Sequence, residues 1–282
     1  MHVNWPRVTG ANAVLVGELV AAGVEPREAR WLIEEFFVGD DPDALASLHA
    51  AANRRLGGEP LQYVIGHWPF RSLDLDLDPR VLIPRPETEE LVEAALGELV
   101  ALDAAAPMIL DLGCGSGAIG LALLDELSGR GVMATLLAVD ASPDALAVAR
   151  RNALKHDLRA VSFVQSSWFD AVDELLRGRI DLIVANPPYV GEDEFVQLDP
   201  VLGYEPRVAL LAADASGVAG FSDVETIIKE SPAWLSPAGV LVCEHGNEHG
   251  AAALATALSA GFSSVDDLRD LAGQPRVLIA RR

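Results

Sequence analysis

One seven-residue run constrains this chain more than any other: Asp111-Leu112-Gly113-Cys114-Gly115-Ser116-Gly117, set between an apolar strand and an apolar helix. Glycine at alternate positions lets the backbone turn sharply and lets a ligand approach it closely. The strand before the run spans 108–112, and the helical pattern after it covers 118–127. The same unit then repeats. A strand over 135–139 ends at Asp140, and a helix over 143–156 follows. Ser142 and Pro143 suit the N-cap and first helical position there, with Asp144 in the first turn favouring the helix dipole. Further strands fall at 161–164, 181–185 and 239–243, a long helix at 221–234, and closing strands at 265 and 276–280. Alternating strands and helices predict an α/β domain with a parallel sheet covered on both faces.

The segment ahead of this domain has a different period. Residues 12–22 are apolar at helical spacing and stop at Gly23. Pro26 starts a second helix with Ala29, Leu32, Ile33 and Phe36 on one face and Gly39 after it, and Pro42 starts a third that ends at Gly57-Gly58. Three short helices with short connections predict a small bundle. Leu73-Asp74-Leu75-Asp76-Leu77-Asp78 then alternates strictly, as a strand with one wet face, and residues 63–70 offer its hairpin partner. A helix over 88–102 leads into the α/β domain. The expected division is 1–84 for the bundle with its hairpin and 85–282 for the α/β domain.

A glycine-rich loop alone leaves several enzyme classes open, and an ordinary tight turn would also account for it. Two acids narrow the choice. Asp111 begins the motif, where a dinucleotide fingerprint has none, and Asp140 ends the next strand, placed to hydrogen-bond a ribose diol. S-adenosylmethionine has no pyrophosphate to repel a carboxylate, and its ammonium and sulfonium attract one.

The second motif is Asn186-Pro187-Pro188-Tyr189, at the carboxyl end of the strand over 181–185, where open α/β sheets bind ligands. Two prolines stiffen this loop and leave carbonyls that no neighbouring amide caps. The pattern suits methyl transfer to a planar nitrogen. The Asn186 side-chain oxygen and the Pro187 carbonyl would accept its two N–H bonds, and Tyr189 would form a flat wall. A sulfonium supplies its own leaving group, so positioning for in-line attack dominates and no metal is called for. A rigid Pro-Pro turn capped by Asn is the competing structural explanation.

Charge bears on the partner. The chain carries 42 acids and 21 bases, a net charge of −21, and residues 87–282 hold 30 of the acids against 13 bases. Broad binding to a phosphate backbone needs clustered Lys and Arg, and the only lysines are Lys155 and Lys229. Two distant cysteines, Cys114 and Cys243, argue against a disulfide scaffold and for a cytoplasmic protein. The first ten residues lack the pattern of a signal peptide, and no uncharged apolar run is long enough to span a membrane.

Together these motifs resemble the HemK/PrmC family of protein-glutamine N5-methyltransferases, which modify peptide chain release factors. The resemblance spans nearly the whole chain. Its most discriminating stretch is Val81-Leu82-Ile83-Pro84-Arg85-Pro86-Glu87-Thr88-Glu89, because Asn-Pro-Pro-Tyr also occurs in adenine-N6 nucleic-acid methyltransferases. The glycine loop fits, with Cys114 where Thr is commoner. So do Glu205-Pro206-Arg207-Val208-Ala209-Leu210 and the ending Asp270-Leu271-Ala272-Gly273. The resemblance implies a Rossmann-like S-adenosylmethionine-dependent methyltransferase domain, preceded by a helical substrate-recognition domain joined through a β-hairpin. Its substrate would be the Gln of the Gly-Gly-Gln tripeptide in release factors. Asp111, Gly113, Cys114, Gly115, Ser116, Gly117, Asp140, Trp168 and Asn186 would hold the cofactor, with Trp168 against the adenine. Asn186, Pro187, Pro188, Tyr189, Arg85 and Glu87 would meet the substrate, and Asn186, Pro187 and Tyr189 would form the catalytic set. Ser167 stands where the family often has an acid near the adenine amine.

The expected molecule is a cytoplasmic monomer that binds neither nucleic acid nor membrane. Other readings are a glutamine methyltransferase for a ribosomal protein, an adenine-N6 methyltransferase for DNA or RNA, and a cofactor-binding module without catalysis. His245 and His249 are spaced like metal ligands beside Glu244 and Glu248, but Gly246 and Gly250 interrupt any helix there. This segment reads as a loop after a strand.

Overall fold

The computed structural model describes residues 10–38, 43–270 and 272–282. The expectations that rest on residues 1–9, Gly39, Pro42 and Leu271 lie outside the described residues. The chain packs as two units, one ending at His67 and one running from Trp68 to Arg282.

The first unit is helical: α1 (Gly10–Ala21), α2 (Pro26–Phe36), α3 (Ala44–Leu56) and the single turn α4 (Leu61–Ile65). The second helix begins where the Glu25 carboxylate accepts the amides of Arg27 and Glu28, with Pro26 preset for the first position. Its apolar face buries Ala29, Leu32 and Ile33, and the Glu28 carboxylate holds Arg55 of α3 at 2.8 Å. The helix α4 closes on Gly66 in the left-handed region.

A hairpin follows, β1 (His67–Phe70) and β2 (Leu73–Asp76), and all of it from Trp68 on belongs to the second unit. The sequence reading grouped this hairpin with the helices and gave it a wet face. Its acids do face solvent, and they also pair with bases of a helix in the same unit. Lys155 lies 2.8 Å from Asp74 and 2.7 Å from Asp76, and Arg151 reaches Asp76 at 2.8 Å. Leu73 and Leu75 point inward and are buried. Beneath them the fully buried Asn152 exchanges hydrogen bonds with the Asp76 backbone and donates to the Ser116 carbonyl at 2.9 Å. The hairpin thus braces the glycine loop.

There follow α5 (Thr88–Leu102), β3 (Met108–Leu112), α6 (Ala118–Gly129), β4 (Thr135–Asp140), α7 (Pro143–Lys155), β5 (Val161–Gln165), β6 (Ile180–Ala185), α8 (Glu192–Phe195), α9 (Ser222–Trp234), β7 (Leu235–Glu244), α10 (Gly250–Ser259), β8 (Ser264–Arg269) and β9 (Pro275–Arg281). The sheet has strand order β5-β4-β3-β6-β7-β9-β8. The first five strands in that order are parallel, as expected from the alternation. Of the last two, β9 alone runs against the rest: it inserts antiparallel beside β7, and β8, joined to it by a short turn, pairs antiparallel on its outer edge. The central strands are buried on both faces, which accounts for their continuous apolar runs. The carboxyl ends of β3, β4, β5 and β6 therefore lie along one edge, with the order of connections reversing between β3 and β6.

Candidate active site

Four strand ends build one wall. Beyond β3 the loop turns through Gly113, at φ +72°, where a Cβ would sit 3.3 Å from the Trp168 ring. Glycine is required there by conformation and by space. Beyond β4, Asp140 accepts the Gly115 amide on one oxygen and the Ser142 amide on the other, each at 2.8 Å. Its carboxylate ties the two loops together and keeps a second acceptor direction on each oxygen. Burial raises its pKa, and those amides oppose the rise.

Asp111 lies beneath the loop, 1% exposed. One oxygen accepts the Gly120 amide at 3.0 Å, and the other has no partner. Burial pushes its carboxyl up to about 7. A buried acceptor without a donor is costly, and a ligand ammonium would satisfy it.

Beyond β5, Trp168 packs its ring over Gly113 and donates its indole N–H to Asp223 at 3.1 Å. Asp223 sits in the first turn of α9, and the sequence reading did not single it out. Together Gly113, Gly115, Asp140, Ser167, Trp168, Asp223 and Asn186 line a cavity of about 260 Å³. Asp111, Cys114, Ser116 and Gly117 are buried and lie outside that lining, and burial pushes the Cys114 thiol up.

Beyond β6 comes the tetrapeptide. Asn186, Pro187, Pro188 and Tyr189 line a second cavity, also about 260 Å³, together with Arg85 and Leu202. The two cavities share Leu82, Asn186, Pro188 and Ala209. Asn186 is thus exposed to both spaces. Arg85 pairs with the buried carboxylate of Glu205, which also accepts the Ile83 amide at 3.0 Å. Glu87 is exposed and lines neither cavity.

Behind the tetrapeptide lies a side-chain chain that sequence reasoning missed. The Asn186 amide nitrogen donates to the Thr88 hydroxyl at 3.2 Å, and that hydroxyl donates to Glu244 at 2.8 Å. The Tyr189 hydroxyl donates to the other Glu244 oxygen at 3.3 Å. Burial raises the pKa of Glu244, against the pull of Thr88, Arg276 and Tyr189. Burial likewise raises that of Tyr189. Gly220, at φ +65°, packs so closely that any Cβ would collide with the Tyr189 carbonyl. Glu244 closes strand β7, one residue past its expected end.

His245 and His249 turn to different partners. The first reaches Asp267 at 3.2 Å, the second the Ala219 carbonyl at 2.8 Å. His249 packs edge-on against Phe221 and Tyr189. Among the described residues, no three His, Cys, Asp or Glu side chains converge as a metal site would need.

Known proteins resemble this chain in sequence and in fold. A family model described as a methyltransferase domain matches residues 105–269. A release factor glutamine methyltransferase from Vibrio cholerae is 38% identical over 84% of this chain and 78% of its own length. Its counterpart from Salmonella typhimurium is 42% identical over 81% and 77%, and that from Bifidobacterium longum 36% over 92% and 88%. Among solved structures, the Thermus thermophilus 16S rRNA N2 G1207 methyltransferase, in complex with AdoMet and guanosine, superimposes with a TM-score of 0.55 at 19% identity. That match covers 77% of this chain and 49% of that one. The N-terminal domain of human METTL16 gives 0.54 at 17%, over 86% and 83%. At such identities the likeness concerns the fold.

Proposed function

Since the chain belongs to the release factor glutamine methyltransferases, we propose that it methylates the side-chain amide nitrogen of the glutamine in the Gly-Gly-Gln tripeptide of a peptide chain release factor. The methyl donor is S-adenosylmethionine. The kinship carries the choice of substrate, and one observation carries the transfer itself: the two cavities meet at Asn186 and Pro188. A donor in the first cavity and an acceptor in the second would face each other across those residues.

The first cavity fits the donor. Asp140 would take the ribose hydroxyls, Trp168 would cover the adenine, and Gly113 and Gly115 would let the chain approach closely. The unpaired Asp111 oxygen would serve the ammonium beneath them. When bound, the cofactor supplies a methyl group on a sulfonium centre that leaves as a neutral thioether. On the other side the Asn186 oxygen and the Pro187 carbonyl would accept the two N–H bonds of the substrate amide. Holding both hydrogens turns the nitrogen lone pair toward the first cavity and favours a pyramidal nitrogen. Tyr189 and Pro188 would form the flat walls of the slot, with Arg85 at its margin. The helical unit would bind the body of the release factor. The net acidity would attract a basic substrate domain while repelling RNA. We place the protein in the cytoplasm as a monomer. No helix among the described residues is long and apolar enough to cross a membrane.

The test uses S-adenosylmethionine carrying a labelled methyl group. Three acceptors are offered: a release factor, its Gln→Ala variant at the Gly-Gly-Gln tripeptide, and unmethylated DNA. Label should appear on the first alone. Label on DNA, or undiminished label on the Gln→Ala protein, would sink the proposal.

A further inference from the structure

Glu244 touches neither cavity, yet it ends the chain of side chains that leads to Asn186. It is 1% exposed and lies at the end of β7, whereas Thr88 opens α5 and Asn186 follows β6. Three separate elements thus meet at two hydrogen bonds. Nothing in the proposed mechanism uses this carboxylate.

The direction of these bonds can be worked out from donor and acceptor inventory. Each Glu244 oxygen has a hydroxyl donor, from Thr88 and from Tyr189, and with Arg276 these favour the ionised form against burial; an ionised carboxylate only accepts. The Thr88 hydroxyl has one hydrogen, and at 2.8 Å that hydrogen goes to Glu244. The Thr88 oxygen is then left as an acceptor, at 3.2 Å from the Asn186 nitrogen. The amide must present N–H to Thr88, so its oxygen lies on the opposite branch. A planar amide is nearly symmetric in shape, and sterics alone would not choose between its two orientations. The Tyr189 hydroxyl fills the other carboxylate oxygen, at 3.3 Å, and so the same group also holds the wall of the second cavity.

We infer that Glu244 is a positioning residue for the methyl transfer: through Thr88 it fixes which face of the Asn186 amide meets the substrate, and through Tyr189 it holds the slot in place. This rests on the glutamine methyltransferase reading. Were the amide reversed, Asn186 would offer N–H bonds to an acceptor nitrogen whose own N–H bonds need oxygen. Donor would face donor, and the nitrogen would be held out of line with the methyl group.

Steady-state methylation of a release factor, with calorimetry for the cofactor, tests the inference on the full chain. Glu244→Gln keeps the volume but gives one of its two partners an N–H in place of an acceptor. It should lower kcat about 10²-fold, the cost of a small misplacement at the reacting atoms. The KM for the release factor and the cofactor Kd should stay within about threefold. Thr88→Val should copy that loss, and Thr88→Ser, which restores the hydroxyl, should recover most of the rate. Because Thr88 acts through Glu244 on one amide, the double variant Glu244→Gln with Thr88→Val should fall no further than Glu244→Gln alone. If Glu244→Gln fails to fold, Thr88→Val against Thr88→Ser decides the matter. An unchanged kcat in Glu244→Gln, a loss that appears equally in cofactor affinity, or equal rates for Thr88→Val and Thr88→Ser would overturn the inference. Absence of methyl transfer by the unaltered protein would instead remove the functional reading on which it stands.

Discussion

The two cavities are built in different ways. The glycine-loop wall of the first is held mainly by backbone amides, with Trp168 and Asp223 closing it from further along the chain. Asp140 holds Ser142 two residues on and Gly115 on the adjacent strand's loop, and Asp111 holds Gly120 within one helical turn of the motif. The wall of the second is made by side chains far apart in the chain. Thr88 lies 98 positions from Asn186 and 156 from Glu244, and Arg85 meets Glu205 across 120. A backbone-built wall tolerates side-chain change but not added bulk or altered φ. A wall built of side chains does the reverse, because each member has a directional partner that no neighbour replaces.

Changes in the two walls should therefore separate affinity from turnover. The largest effect is expected at the shared residue. Asn186→Ala should lower kcat by roughly 10²–10³-fold, as loss of one charge-positioning group at a reacting atom does. Its cofactor Kd by calorimetry should change less than about threefold. An equal loss in both would make Asn186 a turn-capping residue and erase the distinction. Gly113→Val comes next. It forces a β-branched residue into the left-handed region and against Trp168. It should weaken cofactor binding about tenfold or more and lower stability by about 1–3 kcal/mol. Cofactor titration followed by thermal unfolding measures both. Asp223→Asn keeps the shape beside Trp168 but weakens the acceptor for its indole. A rise in cofactor Kd of about two- to tenfold is expected, the range of one hydrogen bond. An unchanged Kd would assign Trp168 to the core rather than to the cofactor.

The smallest effect is a proton count. Burial pushes Asp111 up to about 7, so near neutral pH part of its carboxyls carry a proton. A ligand cation favours the ionised form and lowers that pKa. Binding should then release a fraction of a proton near neutral pH, and affinity should rise as pH increases from about 6 to 8. Calorimetry in two buffers of different ionisation enthalpy reads the release directly. Asp111→Asn should abolish it. Proton uptake, or none, would place the ammonium away from Asp111.

The same contrast explains what the sequence disclosed. The glycine loop, Asp140 and the order of the βα units were legible because their partners lie close by and their periods are fixed by backbone geometry. The tetrapeptide was legible from its prolines and its place after a buried strand. Thr88 and Glu244 were not, because each is unremarkable within its own element. Thr88 reads as the start of a helix and Glu244 as the residue beyond a strand, and only the packing of α5 against the sheet brings them together. Asp223 was hidden in the same way, in the first turn of a helix that begins 55 positions after Trp168. The partners of the hairpin acids were hidden for a related reason. Alternation shows which face is polar and wet, but that it also meets the basic residues of α7 depends on tertiary placement.

The most direct measurement of the central claim is tandem mass spectrometry of a release factor after incubation with the protein and S-adenosylmethionine. One methyl group, on the side-chain amide nitrogen of the glutamine in the Gly-Gly-Gln tripeptide, is the expected result. A methyl group on another residue, or an unmodified release factor from a protein that binds the cofactor, would contradict it.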